Sequence, residues 1–376
     1  MKNRDRRAFC AELGLAATGL LAGARRAAAA SAPVRVGVAG LSHSHVHGLL
    51  GRTARGDVQV VGIAETNRAL AERYAKRYGF ALDLVTGSLE AMLERARPEV
   101  VCGFGSIRDH LAVVEACAPR GIHVMVEKPL AVSLDAARRM TRLAQTHRVL
   151  LLTNYETTWY GSNRRLRELV ASGAIGAIRK LVVHDGHAGP VAIGVEPEFL
   201  EWLTDPEQNG AGALMDFGCY GADLMTWLMA GQRPLSVTAV TQQLQPKLYP
   251  RVDDEATIVV AYRDAQGIIQ ASWNWPYGRK DTHVYGERGY VLALDARRLQ
   301  ARLGDAPEAP QEAPPPPAPY DEPFAYLAAA VRREIEPRGD EPSGLTTNLV
   351  AMEILEAARE SARSGKTVAL GPEATA

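Results

Sequence analysis

Lys128 closes the apolar run Val124-Met125-Val126-Glu127 just before Pro129, where a strand should give way to a loop. Reacting groups gather at that end of an open α/β sheet. Further along, Gly212-Ala213-Leu214-Met215-Asp216-Phe217-Gly218-Cys219-Tyr220 places Asp216 and Tyr220 four residues apart, so one helix would present both to the same cleft. A cation, a carboxylate and a phenol are the groups that move a proton on and off a sugar hydroxyl. A Lys128–Pro129 bond in the cis form would re-aim the lysine. Lys128, Asp216 and Tyr220 are therefore the candidate catalytic residues, and Cys219 between them reads as a small buried residue.

A second constellation follows the first strand, in the turn Gly40-Leu41-Ser42-His43-Ser44-His45. A dinucleotide fingerprint would put glycine at 40, 42 and 45, and only Gly40 is present. Helix N-terminal amides suit an anion whatever side chains surround them, so Gly40, Ser42, His43 and His45 are candidate nucleotide contacts. Glu65 ends the second strand, where an acid can hold both ribose hydroxyls and repel a 2′-phosphate, favouring NAD over NADP.

Other side chains compete for the substrate. His43, His45 and His47 share a turn, and His184 and His187 lie further on. Imidazoles at alternate positions bind metal from an extended backbone, whereas the first segment enters a helix, so no metal site is expected. His184 and His187, on a strand leading into the second half, are candidate substrate contacts. Trp273 and Trp275 alternate along a strand and would share one face, with Trp275 available to stack on a sugar. Tyr155 and Glu156 stand at the junction of the two halves with a similar claim.

The elements that must position these residues fall into two patterns. With 376 residues, 47% apolar and 23% charged, the chain exceeds one ordinary hydrophobic core. From Val34 to Leu152 apolar strands alternate with amphipathic helices, which predicts a Rossmann-type, doubly wound parallel sheet over residues 33–153. After Asn154 longer alternating strands and a helical stretch over Gly212–Met229 predict an α+β domain with an open, mostly antiparallel sheet over 154–370. Residues 304–323, rich in Pro, Ala and Glu, read as an extended surface connection. The fold class is thus α/β with an α+β partner domain.

The first 32 residues stand apart. Arg6-Arg7-Ala8-Phe9, an apolar stretch from Leu13 to Ala24 and Ala30-Ser31-Ala32 read as a twin-arginine export signal with its cleavage site. They hold six basic and two acidic residues, so the remainder carries 37 basic against 41 acidic, a net of −4. Neither that value nor the formal net charge of zero points to nucleic acid or an anionic membrane as partner. A periplasmic location is expected, with no membrane association after cleavage. Cys102, Cys117 and Cys219, odd in number and scattered, imply no disulfide framework.

On these motifs the chain resembles the Gfo/Idh/MocA oxidoreductases from Val34 to about Leu370. Glu127-Lys128-Pro129 matches the family's EKP signature, and Ala211 to Tyr220 resembles its second signature with tyrosine in place of histidine. That tyrosine and the twin-arginine signal resemble the glucose–fructose oxidoreductase branch. The resemblance implies that Glu127 and Lys128 lie at the cofactor and that Gly105, Ser106 and His110 contact the nicotinamide nucleotide. It implies that a secondary alcohol of a sugar or cyclitol binds between Lys128, Asp216 and Tyr220 and gives hydride to a tightly bound NAD. Lys128 is expected to lower the Tyr220 pKa. The alternatives are NAD-dependent glycoside cleavage by transient oxidation and elimination, and non-catalytic sugar or nucleotide binding. A homodimer or homotetramer is expected through the open sheet.

Overall fold

The computed structural model describes residues 32–52 and 55–371. The twin-arginine segment, with Cys10, lies outside the described residues. Strands β1 (Val34–Ala39), β2 (Val58–Ala64), β3 (Val85–Thr86), β4 (Val100–Gly103), β5 (His123–Glu127) and β6 (Leu151–Asn154) form a parallel sheet of order 3-2-1-4-5-6. Helices α1 (Val46–Leu50), α2 (Arg68–Tyr78), α3 (Leu89–Ala96), α4 (Asp109–Cys117) and α5 (Leu134–His147) lie between them. Every residue of β4 is buried, as expected for a parallel strand covered on both faces. Asn67, Ser88 and Ser133 start α2, α3 and α5 by accepting from main-chain N–H groups, which fixes where each crossover turns back.

The chain then builds α6 (Gly161–Ala171), β7 (Ile178–Gly186), α7 (Pro190–Ile193), α8 (Pro197–Leu203), α9 (Pro206–Asn209), α10 (Ala213–Asp216) and α11 (Gly218–Leu228). The strands β8 (Ser236–Gln242), β9 (Glu255–Ala261), β10 (Gln266–Ser272), β11 (Arg279–Gly286), β12 (Gly289–Ala293), β13 (Arg298–Leu303) and β14 (Ala309–Glu312) follow. Last come α12 (Pro323–Val331), α13 (Leu345–Ser364) and β15 (Val368–Ala369). The second sheet runs 14-13-12-11-7-10-9-8-15, with only the β7–β10 pair parallel. Ile258 of β9 meets Gly218 of α11, and Ile269 of β10 meets Gly221, so α11 covers one face of this sheet. Among the described residues no helix is long and apolar enough to cross a membrane.

The fold class is the one read from the sequence, with two local differences. Residues 304–323 are not all connection: β14 adds an edge strand, with Pro310 opposite Gln300. A proline lacks only the donor an edge does not need, so it is tolerated there. The stretch Gly212–Met229 is two helices, broken at Phe217. Asp253 receives the N–H groups of Gly212 and Leu214 on its two carboxylate oxygens and caps α10. A Cβ on Gly212 would lie 1.7 Å from the Asp253 carbonyl oxygen, so only glycine permits that approach. The break lets Asp216 end one helix and Tyr220 begin the next.

Candidate active site

Lys128 follows the carboxyl end of β5, and its peptide bond to Pro129 is cis. Its ammonium donates to Asp216 Oδ1 at 2.5 Å and to the Asp216 main-chain oxygen at 3.1 Å. Trp273 Nε1 donates to the other carboxylate oxygen at 3.0 Å. Burial disfavours both charges, but their mutual attraction outweighs it: the carboxyl of Asp216 is held below its ordinary range and the Lys128 ammonium above its own. Lys128 Nζ also stands 5.2 Å from the Tyr220 ring centroid. The three residues expected to act together are therefore together.

The expected lowering of the Tyr220 pKa is reversed. Burial, then the nearby Glu156 and Asp185, push the phenol well above its ordinary value. At neutral pH Tyr220 therefore keeps its phenolic proton. Tyr155 stands behind it, edge-on at 5.4 Å and fully buried, with its hydroxyl turned toward Cys219 and Asp223. It supports Tyr220 from the core and does not line a substrate space.

Strand alternation sorts the remaining candidates. In β7, Asp185 faces the helices and is buried, whereas His184 faces the opposite side of the sheet. His184 Nδ1 lies 2.9 Å from Asp281 Oδ2, which also meets His283 Nε2 at 2.8 Å. Arg279 grips the same carboxylate, and Trp275 sits beside His184 and Arg279. His184 and Trp275 therefore belong to the outer face, away from Tyr220. Trp273 and Trp275 also fall beyond β10, where the expected alternation ends, and Trp273 is core. His187, past the end of β7, packs edge-on against Phe217 at 4.8 Å. Its burial keeps the ring neutral, and Nδ1 accepts from the Gly189 N–H, so its own proton sits on Nε2.

Two groups escaped the sequence reading. Lys280, opposite Asp185 in β11, lies 4.4 Å from the Tyr220 ring centroid and donates to its hydroxyl at 3.5 Å. It pairs with Glu156 Oε2 at 2.5 Å, and Glu156 Oε1 accepts from the Tyr160 hydroxyl. Burial raises the Glu156 carboxyl, but these two partners bring it below its ordinary value. Asp185 is fully buried, with Oδ1 lacking a partner, and its carboxyl is pushed well above the usual range by burial. The available signal was periodic: Lys280 and Asp185 each lie in a strand at the helix-facing positions.

The nucleotide candidates divide in the same way. Gly40, Ser42, Glu65, Gly105 and Ser106 line one cleft along the carboxyl ends of β1, β2 and β4, closed on the far side by Glu201 and Trp202 of α8. Gly40 has φ +81°, and a Cβ there would lie 2.7 Å from the Gly105 nitrogen, so the loops after β1 and β4 meet without side chains between them. Glu65 is aimed by the N–H groups of Leu41 and Asn67. The cleft fits a dinucleotide in spite of the missing glycines: Glu65 would hold the ribose, and the turn from Gly40 to Ser42 the phosphates.

His45, in the same turn, has Nδ1 2.7 Å from Glu127 Oε2. Glu127 is buried and also accepts from Asn154 Nδ2, so it orients its neighbours and does not reach open space. His43 does not face the cleft. Its ring is enclosed by Phe199 and Trp202, and Nδ1 accepts from the His45 N–H. His110 is likewise enclosed, because it shares the inward stripe of α4 with Val113, Val114 and Cys117. Above the turn, Glu196 receives the Ser44 hydroxyl and lies 2.8 Å from His47 Nε2, while Glu198 binds Arg73 and the Tyr74 hydroxyl. The segment carrying α8 is thus strapped across the first turn.

Residues 34–155 match the sequence model of the oxidoreductase family's NAD-binding Rossmann fold, and residues 163–292 that of the GFO/IDH/MocA C-terminal domain. The protein belongs to the Gfo/Idh/MocA oxidoreductase family. A relative in Bos taurus, trans-1,2-dihydrobenzene-1,2-diol dehydrogenase, is 26% identical over 287 residues, 76% of this chain and 80% of its own. An inositol dehydrogenase homolog from Azotobacter vinelandii, solved with NAD+, superposes with TM-score 0.77 at 19% identity, covering 90% of this chain and 98% of its own. Aldose–aldose oxidoreductase from Caulobacter crescentus, complexed with glycerol, gives 0.75 at 21%, covering 90% and 100%. These structural likenesses speak for the Gfo/Idh/MocA fold. The cofactor of the family is NAD, and the chain is an oxidoreductase.

Proposed function

We propose that the protein interconverts a ring secondary hydroxyl of an uncharged sugar or cyclitol with the corresponding ketone. The observation that carries this reading is the convergence of Lys128, Asp216 and Tyr220 beside the NAD cleft. The dihydrobenzenediol and inositol in the names of relatives share ring hydroxyls, which supports the substrate class. Lys128 is paired with Asp216 and Lys280 with Glu156, a balance that suits a neutral polyol better than an anion. NAD, when bound, supplies the hydride acceptor. Tyr220 exchanges the proton of the substrate oxygen, Lys128 orients that oxygen, and Asp216 fixes Lys128. Glu65 selects NAD over NADP.

The amino-terminal segment supports export to the periplasm, and NAD is retained there under the strap and reused within each catalytic cycle. The outer sheet face, with Val182, Ile268 and Leu292 on it, supports a homodimer or homotetramer. One second reading has a specific observation in its favour: Asp185, a buried carboxyl opposite Lys280 whose burial favours the protonated form, can serve as the acid in a redox-neutral cleavage of a glycosidic bond. The deciding experiment is mass analysis of nucleotide released from purified protein, followed by incubation with polyol–aldose pairs and with aryl glycosides. A protein that neither carries nor binds NAD sinks both readings; turnover of glycosides alone selects the second.

A further inference from the structure

Tyr220 has two ammonium groups beside it, and they lead to different places. Lys128 spends two of its donors on Asp216, whose remaining carboxylate oxygen is closed by the Trp273 indole. That direction ends in the core. Lys280 lies within 3.5 Å of the phenol oxygen and 2.5 Å of Glu156. The side chain of Glu156 is 47% exposed, whereas Tyr220 itself is 1% exposed. An unbroken series of donors and acceptors therefore runs from the buried phenol to water. A buried phenol that exchanges a proton at each turnover needs such a series, because it cannot trade protons with solvent directly.

We propose that Lys280 and Glu156 carry the proton between Tyr220 and solvent. The proposal rests on the reading that Tyr220 exchanges a proton with the substrate hydroxyl. In the reducing direction the substrate oxygen takes the Tyr220 proton, and the Tyr220 oxygen takes one from Lys280 Nζ. The Glu156 carboxylate then takes a proton from water and passes it to the neutral Lys280 amine, which restores the ion pair. Four O–H or N–H bonds break and four form, and oxidation runs the same transfers backwards. The groups facing this path are Lys128 after β5, Asp185 in β7, Asp216 in α10 and Cys219 in α11 at the Tyr220 end, and Tyr160 and His45 at the Glu156 end. Lys280 is a positioning and relay residue, since it acts on the substrate only through Tyr220.

Arginine separates charge from proton transfer, because it keeps the cation but does not release a proton. Lys280→Arg is expected to lower kcat about 10²-fold with KM changed less than about threefold. Lys280→Ala is expected to show the same loss and to regain activity with added ethylamine. A wild-type kcat in Lys280→Arg, or a loss confined to KM, overturns the relay. A measurement without substrate keeps the test independent of the proposed reaction. With 3,5-difluorotyrosine at position 220, the fluorine shift reports phenol ionisation directly. Lys280→Ala should move that titration about one pH unit upward and Lys280→Arg should leave it in place. Identical titrations in wild type and Lys280→Ala refute the contact on which the path depends, even if no polyol is turned over.

Discussion

Lys128 and Asp216 meet twice: one ammonium donates to both the carboxylate and the main-chain oxygen of the same residue. Both are buried, so neither charge is tolerated alone. Asp216→Asn is expected to cost about 3–5 kcal/mol of stability by leaving Lys128 uncompensated, read by urea unfolding. Lys128→Met combined with Asp216→Leu should recover most of that stability while remaining inactive. Equal destabilisation in the single and double variants would contradict the pairing.

The same pair fixes a pH window. The depressed Asp216 carboxyl contributes stability that is full above the unfolded value near 3.9 and is lost as pH falls through its lower folded value. The raised Lys128 contributes stability that is full below about 10.4 and is lost as pH rises through its higher folded value. Thermal unfolding of wild type minus the double variant should therefore give a plateau from about pH 5 to 9 that falls away on both sides.

Tyr220→Phe removes a hydroxyl and leaves the ring beneath Lys280 and Tyr155. A loss of about 10²–10⁴-fold in kcat is expected, with NAD binding unchanged. Stopped-flow rates and nucleotide titration check both halves; full turnover in the phenylalanine variant would transfer the proton role elsewhere.

Glu65→Ala should weaken NAD about tenfold or more and improve the relative affinity for NADP, as a charged hydrogen-bond acceptor and a repulsive charge are lost together. The ratio of the two dissociation constants is the informative quantity, since Glu65 also holds the Leu41 and Asn67 amides. An unchanged ratio would show that Glu65 only shapes the turn.

Glu196→Gln with Glu198→Gln unfastens the strap from Ser44, His47, Arg73 and Tyr74. Faster nucleotide release is expected, measured by dilution and fluorescence, with kcat for the bound enzyme little altered. Release at the wild-type rate would mean that retention comes from the cleft alone.

Much of this was legible in the chain. The alternation of strands and helices, the Lys128 position and the Asp216–Tyr220 spacing follow from apolar periodicity and from one preserved signature. Lys280 was not, because a lysine inside an Arg-Lys-Asp run looks like a solvated strand edge until its partner strand is known. The pKa direction of Tyr220 was also hidden: it depends on Glu156 and Asp185, which are distant in sequence, and on burial. His43 and His110 were misplaced because a polar residue beside a motif does not reveal which way its helix or turn rotates. Pro310 showed that composition alone cannot exclude an edge strand.

His184 and Asp185 differ by one position and occupy opposite worlds, as do Lys280 and Asp281. The reaction centre is thus written in one parity of two paired strands and the outer histidine–carboxylate cluster in the other. Substitutions can remodel either text without editing its neighbour. A single-residue insertion or deletion in β7 would do the reverse, exchanging the two messages at a stroke. Lineages carrying this fold should therefore accept many replacements along β7 and almost no change in its length.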